Sequence, residues 1–196
     1  IIALAGKRGT GKTTVGKKFI ASSSMEKVLI VDTFLHPSYS DVEEIKKDKL
    51  LNWGHNGSGI RRIVVAGETM EEDLAHIQNS MYNALVVYED ATKYLGKTLT
   101  KSMKGMLADS KQKNIDILFM FHSLRLITVD LFDWLNAIVL FKTNDKIEQQ
   151  KNRLAYYDDI EPKYREIRSS SDNYIYKTIE SEIRRTLLSQ KWRIFK

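Results

Sequence analysis

The chain contains no cysteine and only two prolines among its 196 residues. Without cysteine there are no disulfides and no thiolate metal ligands, and a reducing compartment suits the sequence. The scarcity of proline argues against long stiff linkers. No stretch approaches the roughly 18 apolar residues that a membrane-spanning helix needs, so we expect no membrane segment. The chain opens on Ile1 inside an apolar run, with neither an initiator Met nor a signal peptide, and we expect a trimmed fragment.

The composition is that of an ordinary globular protein. Hydrophobic residues make up 42% and charged residues 29%, which excludes a disordered or collagen-like chain. The length fits one domain with a small appendage. There are 31 basic and 25 acidic residues, a formal net charge of +6, which is compatible with a polyanionic partner.

Six short apolar runs, rich in β-branched residues, alternate with helix-like stretches. Most of the runs are continuous, which is typical of strands buried on both faces of a parallel sheet. The alternation predicts a three-layer αβα fold with a doubly wound, mostly parallel sheet. The runs are residues 1–5, 28–31, 63–66, 84–88, 115–121 and 137–141, and the helices are predicted at 12–21, 41–52, 69–81, 99–111, 124–135 and 145–157.

The character of the sequence changes near its C-terminal end. We expect a core at residues 1–157 and a basic extension at 158–196, either as an appendage or as part of the same domain. Residues 161–196 hold nine Lys or Arg and five Asp or Glu. Alternation predicts a strand at 174–179, and a second short strand is expected at 192–195.

A glycine-rich motif follows the first apolar run. Residues 6–13 read Gly-Lys-Arg-Gly-Thr-Gly-Lys-Thr and fit G-x-x-x-x-G-K-[ST] between a predicted strand and a predicted helix, the context that this phosphate-binding loop (P-loop) requires. Its glycines let backbone N–H groups point at phosphate oxygens, and the helix N-terminus adds positive potential. A glycine-rich turn that matches by chance is the alternative. The predicted nucleotide-binding residues are Gly6, Gly9, Thr10, Gly11, Lys12, which reaches the β- and γ-phosphates, Thr13, which offers a hydroxyl to Mg²⁺, and Thr14, beside the α-phosphate.

Two carboxylates, Glu89 and Asp90, follow the apolar run at 84–88. A P-loop NTPase needs one carboxylate at such a strand end for Mg²⁺, and often a second to orient and deprotonate the attacking water. The usual order is Asp then Glu, and here it is inverted. We assign Glu89 to the metal and Asp90 to the water; a solvated acidic turn is the alternative.

The next apolar run ends in His122 and Ser123. Ligands bind at the carboxyl edge of such sheets, so we expect a polar residue here to lie beside the two previous sites. His122 would sense the γ-phosphate or position water. A histidine that only makes local hydrogen bonds is the alternative.

The order and spacing of these three features resemble the additional-strand P-loop ATPases, and among them the FtsK–HerA superfamily of DNA translocases and viral genome-packaging motors. The resemblance covers most of residues 1–154 and rests on residues 6–14, 85–95 and 117–154. It implies a RecA-like fold, ATP hydrolysis with Mg²⁺, and a homo-oligomeric ring, pentameric or hexameric, that moves double-stranded DNA in the cytoplasm, of the host cell if the protein is viral. A portal or capsid protein is a further implied partner.

Two departures from the family pattern concern catalysis. His122 stands where many members have Gln, and Asn136 stands where FtsK-like members often place an Arg before the fifth strand. An arginine finger from a neighbouring subunit, which stabilises charge on the transferring phosphoryl group, must then come from elsewhere. Arg153 and Arg125 are the candidates, and an ordinary solvated arginine is the alternative for each.

No sequence-reading DNA-binding module is visible, which suits a motor that grips phosphates without reading bases. Lys97, Lys101 and Lys104 are spaced three to four residues apart, which predicts one helical face and a DNA grip. A solvated basic face is the alternative.

Three other functions are compatible with a P-loop. A small-molecule or nucleotide kinase usually shows an arginine-rich lid, for which the Arg61-Arg62 pair is too short. A GTPase needs Asn-Lys-x-Asp after the fifth strand, and the segment 142–145 (Lys-Thr-Asn-Asp) has the wrong order. A secretion-associated protein of filamentous phage normally has a membrane segment. We therefore predict a DNA-translocating ATPase, with the kinase as the alternative.

Overall fold

The structure is a computed structural model that describes residues 1–180. None of the helices in this range combines the length and the apolar character that a membrane span requires. The strands form a seven-stranded, mostly parallel sheet, so the predicted α/β P-loop NTPase fold is confirmed. The elements are β1 (Ile2–Ala5), α1 (Lys12–Ser22), β2 (Lys27–Asp32), α2 (Lys47–Asn56), β3 (Gly59–Val64), α3 (Met70–Ser80), β4 (Ala84–Tyr88), α4 (Lys101–Asp109), β5 (Ile115–Phe121), α5 (Val129–Phe132), β6 (Ala137–Phe141), α6 (Tyr157–Ser169) and β7 (Tyr176–Glu180).

The chain divides into two compact units, the first of which combines residues 1–22 with the described residues from 121 onward. In this unit β1 and β6 are parallel, with Ile2 opposite Ala137, and β7 pairs antiparallel to β6. All the residues of β1 and β6 are buried, as their continuous apolar runs predict. The described part of the predicted C-terminal extension supplies α6 and β7 to this unit. The strand predicted at 192–195 lies outside the described residues.

The second unit comprises residues 23–120. Its strands are parallel in the order β3-β2-β4-β5. Both β2 and β4 are buried along their whole length, whereas β3, at the end of this order, has only one fully buried residue. The prediction placed the third strand at residues 63–66, too late in the chain. An edge strand needs no continuous apolar run, so the first residues of β3 carry no such signal.

Two predicted helices are largely absent. Residues 124–135 form a short 3-10 turn (Leu124–Leu126) followed by the four-residue α5. A side chain from a distant part of the sequence binds carbonyl oxygens that a continuous helix would use in its own hydrogen bonds. The Arg153 guanidinium donates to the carbonyl oxygens of Arg125 and Ile127. In residues 145–157 only Ile147–Gln150 is helical, as a 3-10 turn, before α6 begins.

Helix α2 extends beyond its predicted end, through Trp53 to Asn56. The buried side chain of Lys27 stabilises this end, because its ammonium donates to the carbonyl oxygen of Gly54 at 2.8 Å. A cation at a helix C-terminus also interacts favourably with the helix dipole. A β-carbon at Gly54 would lie 2.1 Å from the carbonyl oxygen of Ser80. The glycine therefore lets α2 approach the end of α3.

We expect Gly54→Ala to lower the free energy of unfolding by about 1–3 kcal/mol, since backbone atoms on both sides must move apart. We expect this loss of stability even though Ala is a better helix former than Gly by about 1 kcal/mol. Urea titration measures the difference. Gly96→Ala is the matched control, because its nearest atom beyond the chain neighbours is 3.8 Å away. Equal stability of the two variants would contradict the close approach.

Candidate active site

The P-loop connects β1 to α1 in the first unit. Gly9 (φ 78°) and Gly11 (φ 86°) have left-handed backbone conformations, which favour glycine. Helix α1 begins at Lys12, so the N–H groups of its first turn and the positive end of its dipole face the loop. This is the arrangement by which helix N-termini bind phosphate.

Backbone hydrogen bonds fix the start of the loop. The N–H of Gly6 donates to the carbonyl oxygen of Phe121, at the end of β5, and the N–H of Lys7 donates to that of Lys142, just after β6. A β-carbon at Gly6 would lie 2.6 Å from that of Phe141. The first residues of the loop are therefore held between two strand ends.

The carbonyl oxygen of Lys7 accepts two side-chain hydrogen bonds. The Lys12 ammonium and the Thr10 hydroxyl each donate to it at 2.8 Å. Both side chains are buried, whereas Thr13 is half-buried and Thr14 is exposed in the first turn of α1. Thr10 thus has a structural contact inside the loop.

His122 lies next to the P-loop, because it follows the residue whose carbonyl Gly6 binds. Its neighbour Ser123 donates through its hydroxyl to a carboxylate oxygen of Asp145. The chain after β5 therefore places His122 beside the start of the P-loop.

Asp145 is the polar centre of this region, and the sequence analysis did not assign it a role. Besides Ser123, its buried carboxylate accepts from the backbone N–H of Leu124 at 2.8 Å and from the Thr143 hydroxyl at 2.5 Å. Its carbonyl oxygen accepts from the Tyr164 hydroxyl at 2.5 Å. Asp145 thus ties the segment after β5 to the segment after β6 and to α6.

The two candidate finger arginines differ in exposure and contacts. Arg153 donates to two backbone carbonyls of its own chain, those of Arg125 and Ile127. The Arg125 side chain is 65% exposed, and its Nε lies 3.7 Å from a carboxylate oxygen of Asp145. Of the two, Arg125 offers its guanidinium more freely to solvent.

A cavity of about 360 Å³ adjoins the start of the P-loop in the first unit. Four cationic side chains line it, together with Asn144, Tyr164 and Asn173, while the carboxylate of Asp145 is occupied by its own donors. The cavity favours an anionic ligand. Its cations are Lys7, Lys142, Lys146 and Arg168.

The exposed ring of Tyr174 lies beside the P-loop. A β-carbon at Gly11 would lie 3.4 Å from this ring.

Glu89 and Asp90 belong to the second unit and directly follow β4. The backbone N–H of Glu89 donates to the carbonyl oxygen of Val31 at 3.0 Å, and its carboxylate accepts from the Tyr39 hydroxyl at 3.4 Å. Burial and the nearby Glu89 and Asp32 carboxylates raise the pKa of Tyr39. Tyr39 therefore stays neutral and acts as a hydrogen-bond donor to Glu89.

Asp90 has a left-handed backbone (φ 51°), which is uncommon for a residue with a side chain and often marks a functional position. Its carboxylate accepts from the Thr92 hydroxyl at 2.7 Å and lies 3.4 Å from the Lys93 ammonium. Both partners lie in the turn that follows Asp90, so local contacts orient the side chain.

The three predicted DNA-gripping lysines are all exposed. Helix α4 begins at Lys101, with Thr100 as its N-cap, so Lys97 lies before the helix. The predicted common helical face therefore holds for Lys101 and Lys104 and is wrong for Lys97.

Fold and loop together define an α/β P-loop NTPase fold. No protein-family model and no curated protein matches this sequence. Among solved structures, the genome packaging NTPase B204 from Sulfolobus turreted icosahedral virus 2 in complex with ATP-gammaS aligns with a TM-score of 0.71 at 9% identity, over 92% of this chain and 91% of that chain. B204 from Sulfolobus turreted icosahedral virus, a DNA-packaging ATPase, aligns with a TM-score of 0.62 at 8% identity, over 91% and 96%. At such identities the likeness shows a shared fold, and it confirms the fold that the FtsK–HerA resemblance implied.

Proposed function

We propose that this chain is a Mg²⁺-dependent ATPase that moves double-stranded DNA, as a viral genome-packaging motor subunit in a homo-oligomeric ring. The observation that carries the proposal is the P-loop, with Gly9 and Gly11 in left-handed conformations and α1 beginning at Lys12. This loop lies in a fold shared with a packaging NTPase over nine-tenths of both chains.

In this proposal the P-loop holds the phosphates of ATP, and Lys12 binds the β- and γ-phosphates. Thr13 and Glu89 offer oxygen ligands, which Mg²⁺ prefers. Mg²⁺ in such sites is usually held by one or two carboxylates together with substrate phosphates. When bound, Mg²⁺ neutralises charge on the phosphates.

We assign the attacking water to Asp90. A general base must present its carboxylate in a fixed direction, and the left-handed backbone of Asp90 with its Thr92 contact supplies that orientation. His122 is the proposed sensor of the γ-phosphate, since it adjoins the residue that binds Gly6. Arg125 is the preferred finger because Arg153 donates to carbonyls of its own chain.

The test of this function is ATPase activity with and without double-stranded DNA across a range of protein concentrations. A motor ring gives DNA-stimulated turnover that rises steeply with protein concentration, because each finger acts on a neighbouring subunit. A kinase instead phosphorylates an added acceptor and shows no DNA stimulation. A flat response to both DNA and concentration would contradict the proposal.

We expect Asp90→Asn to lower kcat by about 100- to 10,000-fold, because an amide cannot accept the proton of the attacking water. Asparagine tolerates the left-handed backbone and keeps an oxygen for the Thr92 hydroxyl, so folding and nucleotide binding should persist. Single-turnover hydrolysis and binding of a fluorescent ATP analogue measure the two effects. Turnover of this variant at the wild-type rate would exclude Asp90 as the general base.

Glu89→Gln separates the roles of the two acidic residues. If Glu89 serves the metal, the Mg²⁺ concentration for half-maximal activity should rise by about tenfold or more, with turnover largely restored at high Mg²⁺. Asp90→Asn serves as the comparison and should not be rescued by Mg²⁺. The opposite pattern would exchange the two assignments.

A further inference from the structure

A short loop after β2, residues 33–36, exposes two large apolar side chains. Phe34 and Leu35 are 51% and 52% exposed, although they directly follow a fully buried strand. The buried Asp32 carboxylate holds the loop, since it accepts from the N–H of Phe34 at 3.4 Å and from that of His36 at 2.8 Å. The loop therefore exposes two adjacent apolar side chains at its tip. A single exposed apolar residue is ordinary, whereas adjacent ones indicate an interaction surface.

One lysine connects this loop to Asp90. The Lys93 ammonium lies 5.2 Å from the centre of the Phe34 ring, donates to the Thr33 hydroxyl at 3.1 Å, and lies 3.4 Å from the Asp90 carboxylate. The Lys93 side chain is about half exposed. Any anion that binds this ammonium therefore competes with Asp90 for it.

Aromatic side chains connect the other end of the loop to Glu89. The His36 ring lies 5.8 Å from the Phe34 ring and 6.1 Å from the Tyr39 ring, centre to centre. The Tyr39 hydroxyl donates to Glu89. The 33–36 loop is thus linked within its own unit to both acidic residues.

We propose that the 33–36 loop and Lys93 form a DNA contact that is relayed to Asp90 and Glu89. This inference rests on the proposed function and names a surface that the Lys97, Lys101 and Lys104 group does not include. The apolar tip suits insertion between base steps or against sugars, while Lys93 suits a backbone phosphate.

Duplex DNA fits this surface better than a second copy of the chain does. A stable protein interface needs about 800 Å² from each partner, which two side chains at a loop tip do not supply. An apolar wedge in DNA, by contrast, is formed by one or two side chains, and an adjacent cation adds phosphate binding.

The relay has a defined direction. Without DNA, Lys93 is held by Asp90, Thr33 and the Phe34 ring. A phosphate at the tip draws the ammonium toward itself and withdraws one cation from the Asp90 carboxylate. Asp90 then accepts a hydrogen bond from water more readily, so DNA binding stimulates turnover.

The first experiment uses the full chain with Phe34→Ala and Leu35→Ala combined, and Leu51→Ala as control, since Leu51 is 50% exposed on α2. Anisotropy of a labelled duplex at two salt concentrations measures affinity, and ATPase assays measure basal and DNA-stimulated turnover. We expect about tenfold weaker DNA binding and loss of stimulation, whereas the control variant keeps wild-type affinity and stimulation. Wild-type affinity and stimulation in the double variant would overturn the proposal.

The assay separates this inference from the proposed function. A wild-type chain that neither binds DNA nor responds to it defeats the proposed function itself. A wild type that responds, with a double variant that responds equally, defeats only the DNA contact. If the double variant instead loses self-association in sedimentation, the loop contacts a second copy and the proposal is overturned.

A second variant, Lys93→Gln, tests the relay. Loss of the ammonium should raise DNA-free turnover several-fold, because no cation from Lys93 then holds the Asp90 carboxylate. The ratio of stimulated to basal turnover should fall, because DNA has no ammonium left to withdraw from Asp90. Lys111→Gln is the control, because Lys111 is an exposed lysine of the same unit and belongs to neither proposed DNA contact. Lower basal turnover with an unchanged ratio would overturn the relay.

Discussion

Replacing Lys12 with alanine will abolish measurable ATP hydrolysis, a loss of about a thousandfold in kcat, and will leave the protein folded. The ammonium supplies a fixed positive charge to the transferring phosphoryl group, and such preorganised charge makes one of the largest contributions to catalysis. Folding should persist because Lys12 is the first residue of α1, where alanine is a better helix former. The carbonyl oxygen of Lys7 keeps its second donor, the Thr10 hydroxyl. Steady-state phosphate release and thermal unfolding measure the two effects.

Lys18→Ala is the matched control, since it removes an exposed lysine from the same helix. It should match the wild type in both turnover and melting temperature. Normal ATP hydrolysis by the Lys12→Ala variant would contradict the assignment of residues 6–13 as a catalytic P-loop. An inactive variant with a strongly lowered melting temperature would show that Lys12 acts through folding, against our expectation.

The second large effect concerns stability. We expect Asp145→Ala to lower the free energy of unfolding by about 3 kcal/mol or more, because three donors lose their acceptor and the N–H of Leu124 is left buried without one. For a chain of this length that corresponds to a melting temperature lower by roughly 6–12 °C. Urea and thermal unfolding measure the loss.

Asp133→Ala is the control, because this exposed carboxylate lies in the same unit. Surface substitutions of this kind change stability by less than about 0.5 kcal/mol. Comparable stability of the two alanine variants would show that Asp145 does not organise this region. Asp145→Asn, which keeps one acceptor oxygen, should fall between Asp145→Ala and the wild type.

The strands that are buried on both faces were predictable. The apolar runs at 84–88 and 137–141 coincide with β4 and β6 because a fully buried strand needs an unbroken apolar sequence. The run at 115–121 coincides with β5, although the half-buried Asp116 interrupts it. The edge strand β3 has no such requirement, so its start at Gly59 was missed. The broken helix at 124–135 was not predictable either, since the side chain that takes its carbonyls, Arg153, lies almost thirty residues later.

The candidate site was predictable where one local motif carries the chemistry. The P-loop has its glycines, lysine and threonine within eight residues, and the Glu89-Asp90 pair adjoins a buried strand. Contacts between distant parts of the sequence carried no signal: Tyr39 lies fifty residues before Glu89, and Asp145 twenty-two after Ser123. The one available sign of Asp145 was a polar tetrapeptide directly after a buried strand.

The pairing of β1 with β6 has a consequence for biosynthesis. Ile2 lies opposite Ala137, and the loop after β1 is held by carbonyls of Phe121 and Lys142. A ribosome makes β1 well before these partners, whereas β2, β3 and β4 pair within a continuous early segment. The nucleotide-binding loop is therefore translated well before the strand ends that fix its first residues. A nascent chain that stalls before residue 121 will carry the whole motif and still lack the backbone bonds that shape it.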